Sequence, residues 1–237
     1  MSNKPLYTKK QYIRKLINTF FPRWFHALSP WRLFERTHWV EQAAGNIHGY
    51  DKYNAFHCRI PILISELERR ISRNDRILDL GCNCGFYLSE IRKTGFNNLT
   101  GIDISSEAIR FGKTEFGFSD SELKLGSFEE VLPLLSQQNQ SFVVTYSMGA
   151  TLELVHPSFD IIKAICDVTE KYVILIISEW EHRYPRFWEY EFNRQGFLLI
   201  SCKRPFDGSE MIQNTDSLNS LLIFKRIDSS SSKNEEL

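Results

Sequence analysis

The chain has 237 residues, of which 42% are hydrophobic and 24% charged; this composition suits one globular α/β domain with an appendage and excludes low-complexity and fibrous classes. Its 29 basic and 29 acidic residues cancel, which disfavours a dedicated duplex-binding enzyme with a large basic patch. Five cysteines, an odd number in a chain this long, argue against a disulfide framework and for a reducing compartment.

Charge is unevenly spread. Residues 1–40 carry Lys4, Lys9, Lys10, Arg14, Lys15, Arg23, Arg32 and Arg36 against Glu35 alone. Within this arm Leu6, Tyr7, Tyr12, Ile13, Leu16, Ile17, Phe20 and Phe21 recur near helical spacing, interrupted by Pro22 and Pro30. Trp24, Phe25, Trp31, Phe34 and Trp39 add large rings. Rings beside Lys and Arg suit an anionic membrane surface or RNA phosphates; they equally suit packing on a main domain. No apolar run reaches the ~20 residues of a membrane span, and the N-terminus lacks the apolar core and cleavage site of a signal peptide. The expectation is a cytoplasmic protein, with peripheral membrane contact left open by the arm. Gly45 and Gly49 mark a loop, and a helix is predicted over 55–72 with Ile60, Leu63, Ile64 and Leu67 on one face. Residues 1–72 are thus expected to form a helical extension.

From Asp75 the pattern becomes strand, helix, strand. Strands are predicted at 76–80, 99–104, 123–125, 141–146, 172–178, 197–202 and 221–226. Helices are expected at 86–94, stopped by Gly95, from 105 onward with Ser105 as cap and Glu107 in its first turn, at 159–169 and at 187–194. Residues 172–178 are almost purely Val, Ile and Leu, as a strand buried on both faces requires. The last two strands fit an antiparallel pair with a long loop. The alternation predicts seven strands in a mostly parallel sheet with helices on both faces, over 73–227, followed by a frayed tail at 228–237. Ligands of such sheets bind beyond the carboxyl ends of the strands.

Asp79-Leu80-Gly81-Cys82-Asn83-Cys84-Gly85 lies between a strand and a helix. Glycine lets backbone approach a ligand, Asn tolerates positive φ, and the following helix aims N–H groups at the turn. Cys82 and Cys84 read as small fillers of that turn, since no second Cys/His cluster completes a metal site. Asp103 ends the second strand 18 residues beyond Gly85, where a carboxylate can accept the hydroxyls of a ribose. Together these features point to an adenosine-type ligand, nicotinamide dinucleotides included. The dinucleotide fingerprint, however, is Gly-x-Gly-x-x-Gly, and here Asn83 separates Gly81 from Gly85 and position 88 is Leu. A module that binds the ligand without turnover is the third possibility.

Five pieces in order resemble the class I S-adenosylmethionine-dependent methyltransferases: ILDLGCNCGFYLSEI at 77–91, LTGIDISSEAI at 99–109, GSFEEVLP at 126–133, SFVVTYSMGATLELVH at 141–156 and FNRQGFLLI at 192–200. The resemblance implies a Rossmann-like fold and S-adenosylmethionine as cofactor. It implies Asp79 near the methionine amine, and Gly81, Cys82, Asn83 and Gly85 lining methionine and ribose. Asp103 would take the ribose hydroxyls, Ile104 would pack on adenine, Ser127 and the Phe128 backbone would meet the adenine edge, and Ser147 or Met148 would sit near the sulfonium. Asn83 stands where many members have Gly, which a turn-tolerant Asn can replace; Ser127 stands where many have Asp, so the adenine amino contact is expected to be weaker or supplied by backbone. Tyr50, Tyr53 and Arg59 could close over the methionine tail, with Arg59 on its carboxylate.

Methyl transfer needs chiefly in-line positioning, and an oxygen acceptor also needs a base. Candidate bases are Glu153 and His156 after the fourth strand, and Glu179 and His182 after the fifth. His182 stands out because Trp180, Tyr184, Phe187 and Trp188 surround it in sequence. The expected acceptor is a small molecule or a glycan, with RNA or a membrane-linked substrate as the alternative.

Overall fold

The computed structural model describes residues 9–21, 59–149, 152–178, 184–203 and 219–227. Helix α1 spans Lys9–Phe20 and α2 Ile60–Glu68. Then follow β1 (Ile77–Leu80), α3 (Phe86–Lys93), β2 (Leu99–Asp103), α4 (Ser106–Phe116), β3 (Leu123–Leu125) and α5 (Phe128–Gln137). β4 (Phe142–Ser147), α6 (Ile161–Val168), β5 (Thr169–Ser178), α7 (Trp188–Arg194), β6 (Phe197–Lys203) and β7 (Asn219–Arg226) complete the described elements.

The seven strands form one sheet in the order β3-β2-β1-β4-β5-β7-β6. The first five are mutually parallel, and β7 runs antiparallel to both β5 and β6. Chain direction across the sheet reverses between β1 and β4, the place where the carboxyl ends of adjacent strands leave a crevice.

Alternation along each strand sends neighbouring residues to opposite layers. Ile77, Val144, Tyr146, Ile174 and Ile223 face one core with Leu63 and Leu67 of α2, Leu88 and Ile91 of α3 and Ile109 of α4. Leu78, Leu80, Ile102, Val173, Leu175 and Phe224 face the other with Leu132 and Leu135 of α5, Ile161 and Ile165 of α6 and Phe192 of α7. Strand β5 is buried on both faces over Val173–Ile177, as its apolar run requires. The Ser105 hydroxyl caps α4 by accepting from the Ala108 N–H at 3.1 Å.

The sequence reading gives 126–133 only as a segment that meets adenine and predicts no helix there, whereas the structure has α5 starting at Phe128. The signal lies in Ser127 and Glu130, the Ser-x-x-Glu spacing of a capping box. Pro133 obscures it. The helix predicted over 55–72 is shorter where it can be described, Ile60–Glu68. No helix among the described residues is long and apolar enough to cross a membrane.

Candidate functional site

The turn after β1 is built by backbone that most residues refuse. Gly81 and Gly85 have φ of 76° and Asn83 of 52°, all left-handed. The Asn83 side chain steadies its own turn, its Oδ1 accepting from the Cys84 N–H at 2.8 Å. A methyl group on Gly85 would also come within 2.9 Å of the Phe118 ring. Gly81 and Cys82 donate their N–H groups to the Ile102 carbonyl at 2.9 and 3.0 Å, tying the turn to the end of β2.

Two further glycines let this turn sit where it does. A Cβ on Gly101 would lie 2.6 Å from the Cys82 Sγ, and one on Gly112 would lie 2.1 Å from the Cys84 carbonyl oxygen. Strand β2 and helix α4 therefore press on the turn with bare backbone. Cys82 and Cys84 are buried free thiols, and burial pushes Cys84 up to about 11 and Cys82 well above its ordinary value. They fill space, as the sequence suggests, and are not activated nucleophiles.

Asp103 closes the crevice wall. Its Oδ2 accepts the Asn83 N–H at 2.8 Å and its Oδ1 the Ser105 N–H at 2.9 Å. The carboxylate thus clamps the turn after β1 to the start of α4. A carboxylate has about four lone-pair sites, so each oxygen can still accept from a hydroxyl. Ile104 follows half-buried. Ser127 and Phe128 open α5, where the Glu130 carboxylate accepts both the Ser127 N–H at 3.0 Å and its hydroxyl at 2.9 Å. The Phe128 side chain packs against the α5–α7 core.

Asp79 lies beneath the turn, buried. The Tyr146 hydroxyl of β4 donates to its Oδ2 at 2.9 Å. Burial lifts the Asp79 carboxyl from 3.8 to about 8; the Tyr146 hydrogen bond opposes the rise and the Asp103 charge adds to it. Tyr146 in turn is raised well above its ordinary value by burial and by Asp79. Sequence reading reaches Asp79 but passes over Tyr146; a phenol inside a strand expected to be buried was the available signal.

At the end of β4 the Ser147 hydroxyl donates to the Leu80 carbonyl at 2.9 Å, which joins the two strands flanking the crevice. Arg59 is buried and its Nη1 donates to the Met148 carbonyl at 2.7 Å. The structure thus brings Arg59 to the loop after β4, beside Ser147. Tyr50 and Tyr53 lie outside the described residues, as do Glu179, Trp180 and His182.

Glu153 and His156 are both buried just past β4. The segment following β5 returns over them: the Tyr184 N–H donates to the Glu153 carbonyl at 3.0 Å, and the Tyr184 ring meets the His156 ring edge-on at 5.4 Å. His156 Nδ1 accepts the Ser158 N–H at 3.2 Å and lies 2.9 Å from the Ser158 hydroxyl, so a neutral ring carries its proton on Nε2. Arg186, also buried and missed by sequence reading, points its Nη1 at Glu191 of α7, 3.3 Å away. Helix α1 covers this segment: Asn18 Nδ2 donates to the Pro185 carbonyl at 3.0 Å and the Phe187 N–H to the Thr19 hydroxyl at 3.2 Å.

A family profile described as "Methyltransferase domain" matches residues 71–225. A search by sequence over curated proteins returns no match. Among solved structures, a chain from the complex between the Haloferax volcanii Trm112 methyltransferase activator and a methyltransferase superposes with a TM-score of 0.59 at 14% identity, covering 81% of this chain and 96% of that one. The magnesium protoporphyrin IX methyltransferase of Synechocystis PCC 6803 with bound S-adenosylmethionine gives 0.57 at 11% identity, covering 94% and 100%. The [4+2]-cyclase SpnF gives 0.56 at 13%, covering 71% and 80%. At such identities the likeness is one of fold.

Proposed function

We propose a reaction from one premise: the chain belongs to the methyltransferase-domain family, whose cofactor is S-adenosylmethionine. The reaction is transfer of its methyl group to an oxygen or nitrogen of a small-molecule or glycan acceptor, by in-line displacement. One observation carries the reading. Two carboxyl groups, Asp79 and Asp103, flank a left-handed turn at the carboxyl end of β1, where strand order reverses.

The chemistry of that pair fits the cofactor. No cationic side chain among the described residues pairs with Asp79, and its raised pKa is that of a buried carboxyl without a counter-charge. A methionine ammonium would supply that charge. Asp103, already holding two backbone N–H groups, is oriented to accept ribose hydroxyls. S-adenosylmethionine, when bound, supplies a methyl carbon activated by an adjacent sulfonium. The protein's part is placement: the 81–85 turn and Ser147 set the near wall of the crevice, and Ser127 with the Phe128 backbone sets the adenine end. With both the hydroxyl and the N–H of Ser127 engaged by Glu130, the Phe128 backbone is the group assigned to adenine.

An oxygen acceptor would lose its proton to one of Glu153, His156, Glu179 or His182. Of these, Glu153 and His156 each contact Tyr184 of the segment following β5, through a backbone bond and a ring contact. An acceptor on RNA is the second reading, favoured by the basic arm. Residues 73–227 form the catalytic domain in this proposal, with 1–72 as extension and cap and 228–237 as a tail. The free thiols of Cys82, Cys84, Cys166 and Cys202 support a cytoplasmic setting.

Titration calorimetry tests the first half. S-adenosylhomocysteine binding with no response to nicotinamide dinucleotides is expected, and the reverse would overturn the reading. Labelled methyl transfer to a panel of hydroxyl and amine acceptors, glycans and RNA tests the second. Cofactor binding with no transfer to any class would leave a binding module instead.

A further inference from the structure

Helix α1 is amphipathic the wrong way round for a helix docked on a domain. The residues it turns inward are polar: Lys15 is 3% exposed and Asn18 4%. Thr19 also faces the domain, bonding to Glu191 and Phe187. Apolar residues remain exposed on its other side: Ile13 is 54% exposed and Phe21, just past the helix, 59%, while Tyr12 and Phe20 are partly covered, their rings 5.6 and 6.5 Å from that of Phe187. Tyr190 of α7, itself exposed, extends the ridge, its ring 5.1 Å from that of Phe20. Exposed Lys9, Lys10 and Arg14 border the ridge, and 9–21 contains no acidic residue.

Contact with the domain therefore leaves most of the apolar stripe uncovered, and exposing it costs free energy in water. The polar inward face is held by specific bonds, so the orientation is not a packing accident. Charge says what would cover it. The first 40 residues carry eight basic residues against one acidic, while the remaining 197 carry 21 against 28. Among the described residues of this stretch, Lys9, Lys10 and Arg14 are exposed on α1 beside the apolar side chains, a pairing that suits a negative surface.

We propose that α1, with Tyr190, seats the protein on an anionic lipid bilayer, the ridge of Ile13, Phe20 and Phe21 entering the headgroup boundary while Lys9, Lys10 and Arg14 meet the lipid phosphates. The attachment is peripheral. It lies beside the segment after β5, where α1 bonds to Pro185 and Phe187. The inference concerns where the protein works and stands apart from whether it transfers a methyl group.

Co-sedimentation of the full chain with phosphatidylcholine vesicles, with and without phosphatidylserine, tests it. Wild type pellets with the anionic vesicles, remains in solution with neutral ones, and is released by salt. Lys9→Gln with Lys10→Gln weakens the partition about thirtyfold, since each basic residue near the surface contributes about fivefold. Ile13→Asp with Phe21→Asp weakens it at least about tenfold. Both pairs leave S-adenosylhomocysteine affinity and Tm unchanged, which separates lost docking from lost folding. Equal partition into neutral and anionic vesicles overturns the proposal. So does a wild type that ignores vesicles and instead binds single-stranded RNA, or one that dimerises through a contact Ile13→Asp abolishes.

Discussion

Replacing Asp79 by Asn should make the ligand-free protein more stable at neutral pH, and increasingly so as pH rises. Asp79 is buried with Tyr146 as its hydrogen-bond partner, and its carboxyl stands at about 8 against 3.8 when exposed. Between those values the folded chain keeps a proton that the unfolded chain has released, so raising pH favours unfolding. The contribution is full below pH 3.8 and is lost progressively as pH rises to about 8. One proton of difference corresponds to about 1.4 kcal/mol per pH unit, which accumulates to about 4 kcal/mol by pH 7. Asn keeps the shape and an oxygen for the Tyr146 hydroxyl but has no charge to form. In urea unfolding at pH 5, 6, 7 and 8, the gap between Asp79→Asn and wild type should widen by about 1.4 kcal/mol per unit, about 3–5 °C in Tm for a chain of this size, and level off above 8. Bound ammonium would reverse the balance by holding the carboxylate ionised. Wild-type affinity for S-adenosylhomocysteine should then rise through pH 6–8, and the variant's should not. Parallel stability curves for the two proteins would show that Asp79 is ionised in the free site and refute the reasoning.

Asp103→Asn should lower both stability and cofactor affinity, by about 1–3 kcal/mol each, because the carboxylate holds the Asn83 and Ser105 N–H groups before any ribose arrives; calorimetry and thermal melts read the two losses separately. Gly112→Ala should destabilise by more than the ordinary gain of about 1 kcal/mol for Gly→Ala in a helix. Its Cβ would meet the Cys84 carbonyl at 2.1 Å, and α4 must move off the turn to admit it; a melt showing a more stable variant would contradict that close approach.

The turn after β1 was legible because its residues are selected by backbone geometry. Left-handed φ at 81, 83 and 85 demands Gly or Asn, and a carboxylate at a strand end sits at a characteristic distance from that turn. Strand β5 announced itself by its aliphatic run, and α4 by Ser105. What escaped depended on contacts between distant segments. Tyr146 meets Asp79 across 67 positions and Arg59 meets Met148 across 89, and no spacing rule encodes such partners. Gly101 and Gly112 look like ordinary strand and helix glycines until the Cys82–Cys84 turn is laid against them. Helix α5 was readable in its capping box, but Pro133 and the motif reading of 126–133 masked it.

The segments following β4 and β5 are illegible for a related reason, and their burial pattern is itself informative. Arg186 is 2% exposed, with its Nε and Nη2 lacking any hydrogen bond and its Nη1 only 3.3 Å from Glu191. Burial raises Glu191, and the Arg186 charge opposes that rise. A buried guanidinium with so little compensation costs stability rather than supplying it. Glu153 and His156 lie buried a few residues past β4, under the same returning segment. Purely structural demands would fill this layer with aliphatic side chains, as they do elsewhere around β5. Buried polar groups gathered past the carboxyl ends of β4 and β5 are what a functional site commonly retains. The cyclase SpnF shares the fold at 13% identity, so the sheet and its crevice do not by themselves fix the chemistry, and the side chains gathered at the rim are where a difference would be written.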